Sequence, residues 1–232
     1  MVIGIHQPNF IPWLGFFYKI YSSDIFVLID NVQFVKGSIC NRNKIKNNVG
    51  DAVWITIPVK HSKGLMVNFN ELEIGYEQKW QIKMRNQFTA AYQKAPYFNN
   101  YIDEIDSILL SKYQSLAEIN IYLIKYFCKV LDVNTPIYIA SELKQEFGQS
   151  NYLNLNITKY FGGDTYLSGQ GAKKYNDEEL FKTNNIKLIY SEYNHPTYPQ
   201  INGKFISHLS IIDLLFNCGP ESREILLNRQ DE

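Results

Sequence analysis

VIGIHQPNFIPWLGFFYKIYSSDIFVLIDN, residues 2–31, decides the fold. Val2–Ile5 is a short apolar run that reads as a strand. Pro12–Ser22 carries Trp13, Phe16, Phe17 and Ile20 at near-helical spacing, and Asp24–Asn31 contains the continuous apolar run IFVLI of a buried parallel strand. Strand, helix and strand this close together form a βαβ unit. The first strand and the helix are joined by HQPNFIPWLG, His6–Gly15. Pro8 and Pro12 stiffen this linker, because each fixes its own φ and restricts the residue before it. A His, a Gln and an Asn therefore stand where a strand ends and a helix begins, which is where ligands bind in open α/β sheets.

Outward from this unit, Val35–Gly50 reads as a polar loop. Ala52–Val59 and Met66–Ile74 read as strands, expected to pair as a hairpin across the Gly64 region. Residues 76–130 are helical in pattern and broken near Pro96. Trp80, Met84, Phe88 and Ala91 share one face, and Ile119, Tyr122, Leu123, Tyr126 and Phe127 another. Ile137–Ala140 is a strand, Leu153–Tyr160 a helix stopped at Gly162-Gly163, Thr165–Leu167 a strand, Asp177–Thr183 a helix and Ile186–Tyr190 a strand. Ile206–Phe216 is a last amphipathic helix, closed by Gly219-Pro220. The alternation predicts an α/β protein with a mostly parallel, Rossmann-like sheet. It is expected to be one domain over 1–232, with an α/β core at 1–75 and 131–232 and a helical insert at 76–130.

The 23 basic and 23 acidic side chains in 232 residues leave no global field to attract nucleic acid or anionic lipid. Lys36, Arg42, Lys44 and Lys46 are a local exception, too small for general nucleic-acid binding. Cys40, Cys128 and Cys218 are odd in number and widely spaced, as expected of free thiols in a reducing cytoplasm. No leader pattern and no apolar run of about 20 residues stands out, so secretion and a membrane span are not expected.

His6 is the first candidate for chemistry, with Gln7 and Asn9 beside it. Asp30 ends the second strand, on the rim of the sheet that holds His6 if the two strands are neighbours. There it can cap a loop, orient His6 or bind a ligand. Arg42 and Lys44 in Asn41–Lys46, NRNKIK, form either a solvated loop or a phosphate grip. Ser168–Gly171 offers backbone N–H groups to a phosphate or carboxylate, although it lacks the spacing of the established phosphate loops. His195 stands between polar residues and prolines after another strand and repeats the logic of His6. Cysteine and histidine spacing fits no zinc site. Cys40 is a poor candidate nucleophile, and capping or a buried hydrogen bond accounts for Ser210 and Asp213.

HQPNFIPWLGFFYKI, DNVQF, NRNKIK, YLSGQGAKKY, EYNHPTYPQ and LSIIDLLFNCG occur in order over almost the whole chain and resemble the WbqC-like protein family. The motif positions that resemblance picks out include His6, Gln7, Asn9, Trp13, Asp30, Gln33, Asn41, Arg42, Ser168, Gly169, Tyr175, His195, Tyr198 and Asp213. Cys40 stands where the family pattern asks for no cysteine. The resemblance implies a role in bacterial O-antigen or capsule synthesis, alongside other polysaccharide-synthesis enzymes, and proposed transfer of glycine to an amino sugar. A fainter likeness to pantothenate synthetase and its nucleotidylyl-transferase relatives implies ATP as cofactor. The H-x-G-H signature of that group has no counterpart here, since Pro12–Gly15 contains no second histidine.

The combined expectation is an amide-forming transferase acting on a nucleotide-linked amino sugar and an activated amino acid or acyl donor. His6 is its base, or a phosphate or oxyanion contact, and Asp30 orients it. Gln7, Asn9, Trp13, Gln33, Asn41, Tyr175, His195 and Tyr198 contact substrate. Arg42, Lys44, Ser168 and Gly169 hold phosphates. A non-catalytic sugar-nucleotide scaffold and an ATP-using nucleotidyltransferase or carboxylate–amine ligase are the alternatives.

Overall fold

The computed structural model describes residues 1–35, 37–60 and 67–227. β1 (Val2–His6), α1 (Leu14–Tyr21) and β2 (Ile25–Leu28) form the expected unit, with β1 and β2 parallel and His6 beside Leu28. β3 (Arg42–Lys46) and β4 (Ala52–Thr56) make a separate antiparallel pair. Next come α2 (Trp80–Tyr92), α3 (Phe98–Leu110) and α4 (Leu116–Val130). The chain then returns to the sheet through β5 (Ile137–Ile139), α5 (Ser150–Tyr160), β6 (Thr165–Gly169), α6 (Glu178–Thr183) and β7 (Lys187–Ser191). It ends in α7 (Ile211–Cys218) and α8 (Ser222–Leu227).

The main sheet is parallel, in the order β5-β2-β1-β6-β7. The chain winds outward from β1 to β5, then crosses back to β6 and on to β7, so the winding reverses between β1 and β6. This is the Rossmann-like arrangement, and that reversal is its topological switch point. Alternate strand residues enter different cores. Phe26 and Leu28 join α1, α2, α3, α4, α7 and α8, while Ile3, Ile5, Val27 and Tyr166 join α5 and α6.

Three expectations change. NRNKIK is mostly strand rather than loop, because Asn43 and Ile45 point inward while Arg42 and Lys44 point outward, a period of two that its polar composition conceals. The described part of Met66–Ile74 forms only single bridges, Asn68 to Gln33 and Ile74 to Val59, around a 3-10 turn at Phe69–Glu71. Met66, the Gly64 turn and Lys36 lie outside the described residues. The last amphipathic helix begins at Ile211 rather than Ile206, where the Ser210 amide is instead held by the Lys44 carbonyl.

The linker from β1 to α1 is buried from Pro8 to Pro12. Ile11 sits at φ 38°, a left-handed conformation that disfavours a β-branched side chain. Neighbouring elements pin it there. Asn43 Nδ2 donates to the Ile11 carbonyl at 2.7 Å, and Asn120 Nδ2 to those of Pro8 at 2.8 Å and Cys40 at 2.7 Å. Phe10 N donates to Ile39 O at 3.2 Å and Ile211 N to Pro12 O at 2.9 Å. Asn43→Ala strands the Ile11 carbonyl without its donor and is expected to cost about 2–3 kcal/mol, read as a lowered urea midpoint at unchanged slope. A midpoint within experimental error of the wild type contradicts this account of the linker.

Candidate functional site

The last registered β1–β6 pair is Gly4 with Leu167. Continued along both strands, that register sets Ile5 beside Ser168 and His6 beside Gly169, at the carboxyl rim of the switch point. His6 is half-buried, its ring edge-on to Phe16 of α1 with centroids 5.1 Å apart. Its Nδ1 lies 2.9 Å from the Gln7 carbonyl. A carbonyl only accepts, so Nδ1 carries the proton and Nε2 presents a lone pair. Ser168 is fully buried and accepts from Asn176 Nδ2 at 2.9 Å. Beyond it, a Cβ on Gly169 or Gly171 would meet nothing within 4 Å, so the backbone here is open to a close ligand.

Trp13 extends the rim from the start of α1. Its indole covers Gly15, where a Cβ would approach the ring to 2.2 Å, so glycine is required there. The indole stacks on His195 at 6.3 Å and 8°, and packs against His208 at 5.1 Å and Tyr193 at 5.7 Å. His195 repeats the geometry of His6. Its Nδ1 faces the Pro196 carbonyl at 2.9 Å, and among the described residues its Nε2 is buried without a partner. Tyr198 also stacks on His195, with centroids 6.1 Å apart.

The remaining candidates are dispersed. Asp30 does not orient His6: its carboxylate accepts from the Ser141 hydroxyl at 2.6 Å and the Ser141 amide at 3.0 Å. Gln7 and Asn9 turn toward Cys40, whose Sγ lies 3.3 Å from Gln7 Oε1 and 3.6 Å from Asn9 Oδ1. Asn41 Nδ2 donates to the Ile57 carbonyl at 3.0 Å. Arg42 and Lys44 flank the exposed Trp54 ring at 4.3 and 5.0 Å, and Arg42 also donates to the Gly37 carbonyl at 2.7 Å. Gln33 lines a cavity of about 700 Å³ with Asn31, Asn68 and Gln149. Tyr175 is exposed, beneath the Lys174 ammonium. The Tyr198 hydroxyl donates to Asp213, which also accepts from Tyr92 and Gln200, so Asp213 anchors a buried network.

Residues 7–225 match the model of the WbqC-like protein family. The chain belongs to that family. It is similar to the uncharacterized protein Rv1507c of Mycobacterium tuberculosis (strain ATCC 25618 / H37Rv), with 30% identity over 226 residues covering 97% of this chain and 96% of that one. No solved structure matches it.

In this WbqC-like chain the electrostatics of the rim are set by burial. Desolvation and the nearby Lys19 charge lower the His6 pKa to about 4, against a smaller opposing effect of the Gln7 carbonyl, so the ring is neutral at neutral pH. Cys40, Cys128 and Cys218 are buried, and burial raises their thiols to about 11, 12 and 11, which keeps them protonated. Sequence reasoning missed Lys19. It is only 3% exposed, its Nζ donates to the Ile5 carbonyl at 2.7 Å, and among the described residues it has no ion-pair partner. A cation between Phe16 and Ile20 on an apolar helix face was the available signal.

Burial lowers Lys19 from 10.5 to about 7. The unfolded chain therefore binds this proton more tightly than the folded one, and stability should rise as pH climbs from about 7 toward 10, by up to about 1.4 kcal/mol per pH unit. Lys19→Met should remove that rise in urea midpoints measured at pH 7 and 9.5. An identical slope in wild type and variant contradicts the burial of the ammonium.

Proposed function

We propose that this protein forms an amide between an activated amino acid or acyl group and the amine of a nucleotide-linked amino sugar, in bacterial surface-polysaccharide synthesis. The observation that carries the reading is that His6, its Nδ1 on the Gln7 carbonyl, ends β1 next to β6, whose last residue Gly169 leaves open space, at the switch point of a Rossmann-like sheet. In amide formation the amine nitrogen attacks the carboxyl carbon, the leaving group departs with its electron pair, and the proton lost by nitrogen passes to the departing group or to water. At a pKa of about 4 His6 is a weak base, and with Nδ1 protonated its Nε2 cannot donate to a phosphate or oxyanion. Its role in this reading is to accept a hydrogen bond from the amine N–H and aim the nitrogen lone pair at the carbonyl.

The turn around Gly169 and Gly171, followed by Lys173 and Lys174, would hold a phosphate of the activated donor. It would hold ATP's phosphates if activation takes place on the protein. Arg42 and Lys44 would take the diphosphate of the sugar nucleotide, with Trp54 as a stacking surface. Among the described residues no helix is long and apolar enough to cross a membrane. A cytoplasmic setting beside other polysaccharide-synthesis enzymes is part of the proposal. A second reading is a sugar-nucleotide-binding scaffold without turnover. It is favoured by the protonated thiols and by a rim histidine far below the usual range for acid–base work.

In a reconstituted assay His6→Ala should lower kcat about 100-fold while leaving KM for the sugar nucleotide within a few-fold. Gly169→Val, which fills the open space at the turn, should raise KM instead. Near-normal turnover in His6→Ala removes the histidine from the mechanism, and ligand stabilisation without product supports the scaffold.

A further inference from the structure

A cavity of about 350 Å³ lies beside Asp30, walled by the first turns of α4, the end of β5 and Asn70. Its floor is buried and includes Asp30, Ala117, Ile121 and Ile139, while Tyr122 and Lys125 are exposed at the mouth. Asp30 is 4% exposed, and among the described residues no ion pair involves it. Among the described residues its two donors both come from Ser141, and a carboxylate has about four acceptor positions, so capacity is left over. Asn70, which also lines the cavity, donates its backbone N–H to the Asp30 carbonyl at 2.8 Å, and among the described residues its side-chain Oδ1 is buried without a partner. The other inner acid, Glu118, is occupied at the helix start, where Oε2 accepts from Gln114 N at 2.7 Å.

A buried carboxylate that has no cation among the described residues calls for a further donor, and burying it unmatched is costly. We infer that this cavity binds a small primary amine, whose ammonium donates to Asp30. The volume suits a molecule of monosaccharide or amino-acid size. Lys125 and Tyr122 at the mouth would face the polar end of that molecule. His6 does not line this cavity, so the amine bound here is held apart from that histidine; a role for it as a waiting acceptor amine rests on the transferase reading, while its binding does not. In the sheet Asp30 lies two residues beyond Leu28, the partner of His6, so the cavity and the His6 lone pair occupy the same rim.

Calorimetric titration of the full chain with glucosamine and ethanolamine, with N-acetylglucosamine as the uncharged control, tests the inference. The two amines should bind saturably and the control should not. Asp30→Asn should weaken the amines about tenfold or more, as expected for loss of a charge-assisted hydrogen bond. Because Asp30 also holds Ser141, methyl NMR of the unaltered chain supplies a second reading, in which ethanolamine should shift the Ile121 and Ile139 methyl signals. Failure of both amines to bind, undiminished binding in a folded Asp30→Asn, or shifts confined to other residues overturns the inference. Amine binding at these methyls without amide product in the assay contradicts the transferase reading and leaves the site standing. Product formation without such binding does the reverse.

Discussion

The segment from Pro8 to Pro12 is buried, yet it belongs to no helix or strand, so its carbonyls cannot be satisfied by a regular ladder. Two prolines leave it short of donors as well. The donors come from elsewhere, as Asn43 from the β3–β4 pair and Asn120 from α4 reach the Ile11 and Pro8 carbonyls. A left-handed isoleucine survives in the middle because its side chain is fully buried and its carbonyl is held. The small antiparallel pair and α4 are thus both tied to this linker.

Holding the linker also fixes what stands at its two ends. At the β1 end His6 is turned so that its Nδ1–H donates to the Gln7 carbonyl, and Lys19 lies beneath the strand with its ammonium on the Ile5 carbonyl. The nearby buried cation is one reason why the imidazole stays neutral. At the α1 end Trp13 is pressed onto Gly15 and becomes the centre of an aromatic group with Tyr193, His195 and His208. Sites that need a defined acceptor at a defined place are built on such over-determined backbone. Asp30, one strand away, is freed from His6 by Ser141 and faces its own cavity.

The β1–α1–β2 unit was legible because its apolar residues change period cleanly, and the later strands and helices were legible for the same reason. β3 was not, since a strand of Arg, Asn, Lys, Ile and Lys hides its alternation beneath a polar composition. The rim positions of His6, Ser168 and Gly169 followed from where strands end. The partners of Asp30 and of the linker did not, because Ser141 and Asn120 lie 111 and 112 residues away in the chain and one sequence carries no record of such pairings. Lys19 was hidden by the habit of assigning cations to solvent.

The central claim is that His6 is a neutral acceptor facing a ligand site at the β1–β6 switch point. Ring-nitrogen NMR of His6, followed from pH 5 to 8 with and without a sugar nucleotide carrying a free amine, tests it most directly. The account predicts Nδ1 protonated and Nε2 unprotonated throughout, with Nε2 shifting when the sugar nucleotide is added. A ring that titrates near 6.5, or an Nε2 signal indifferent to every amino-sugar nucleotide offered, contradicts it.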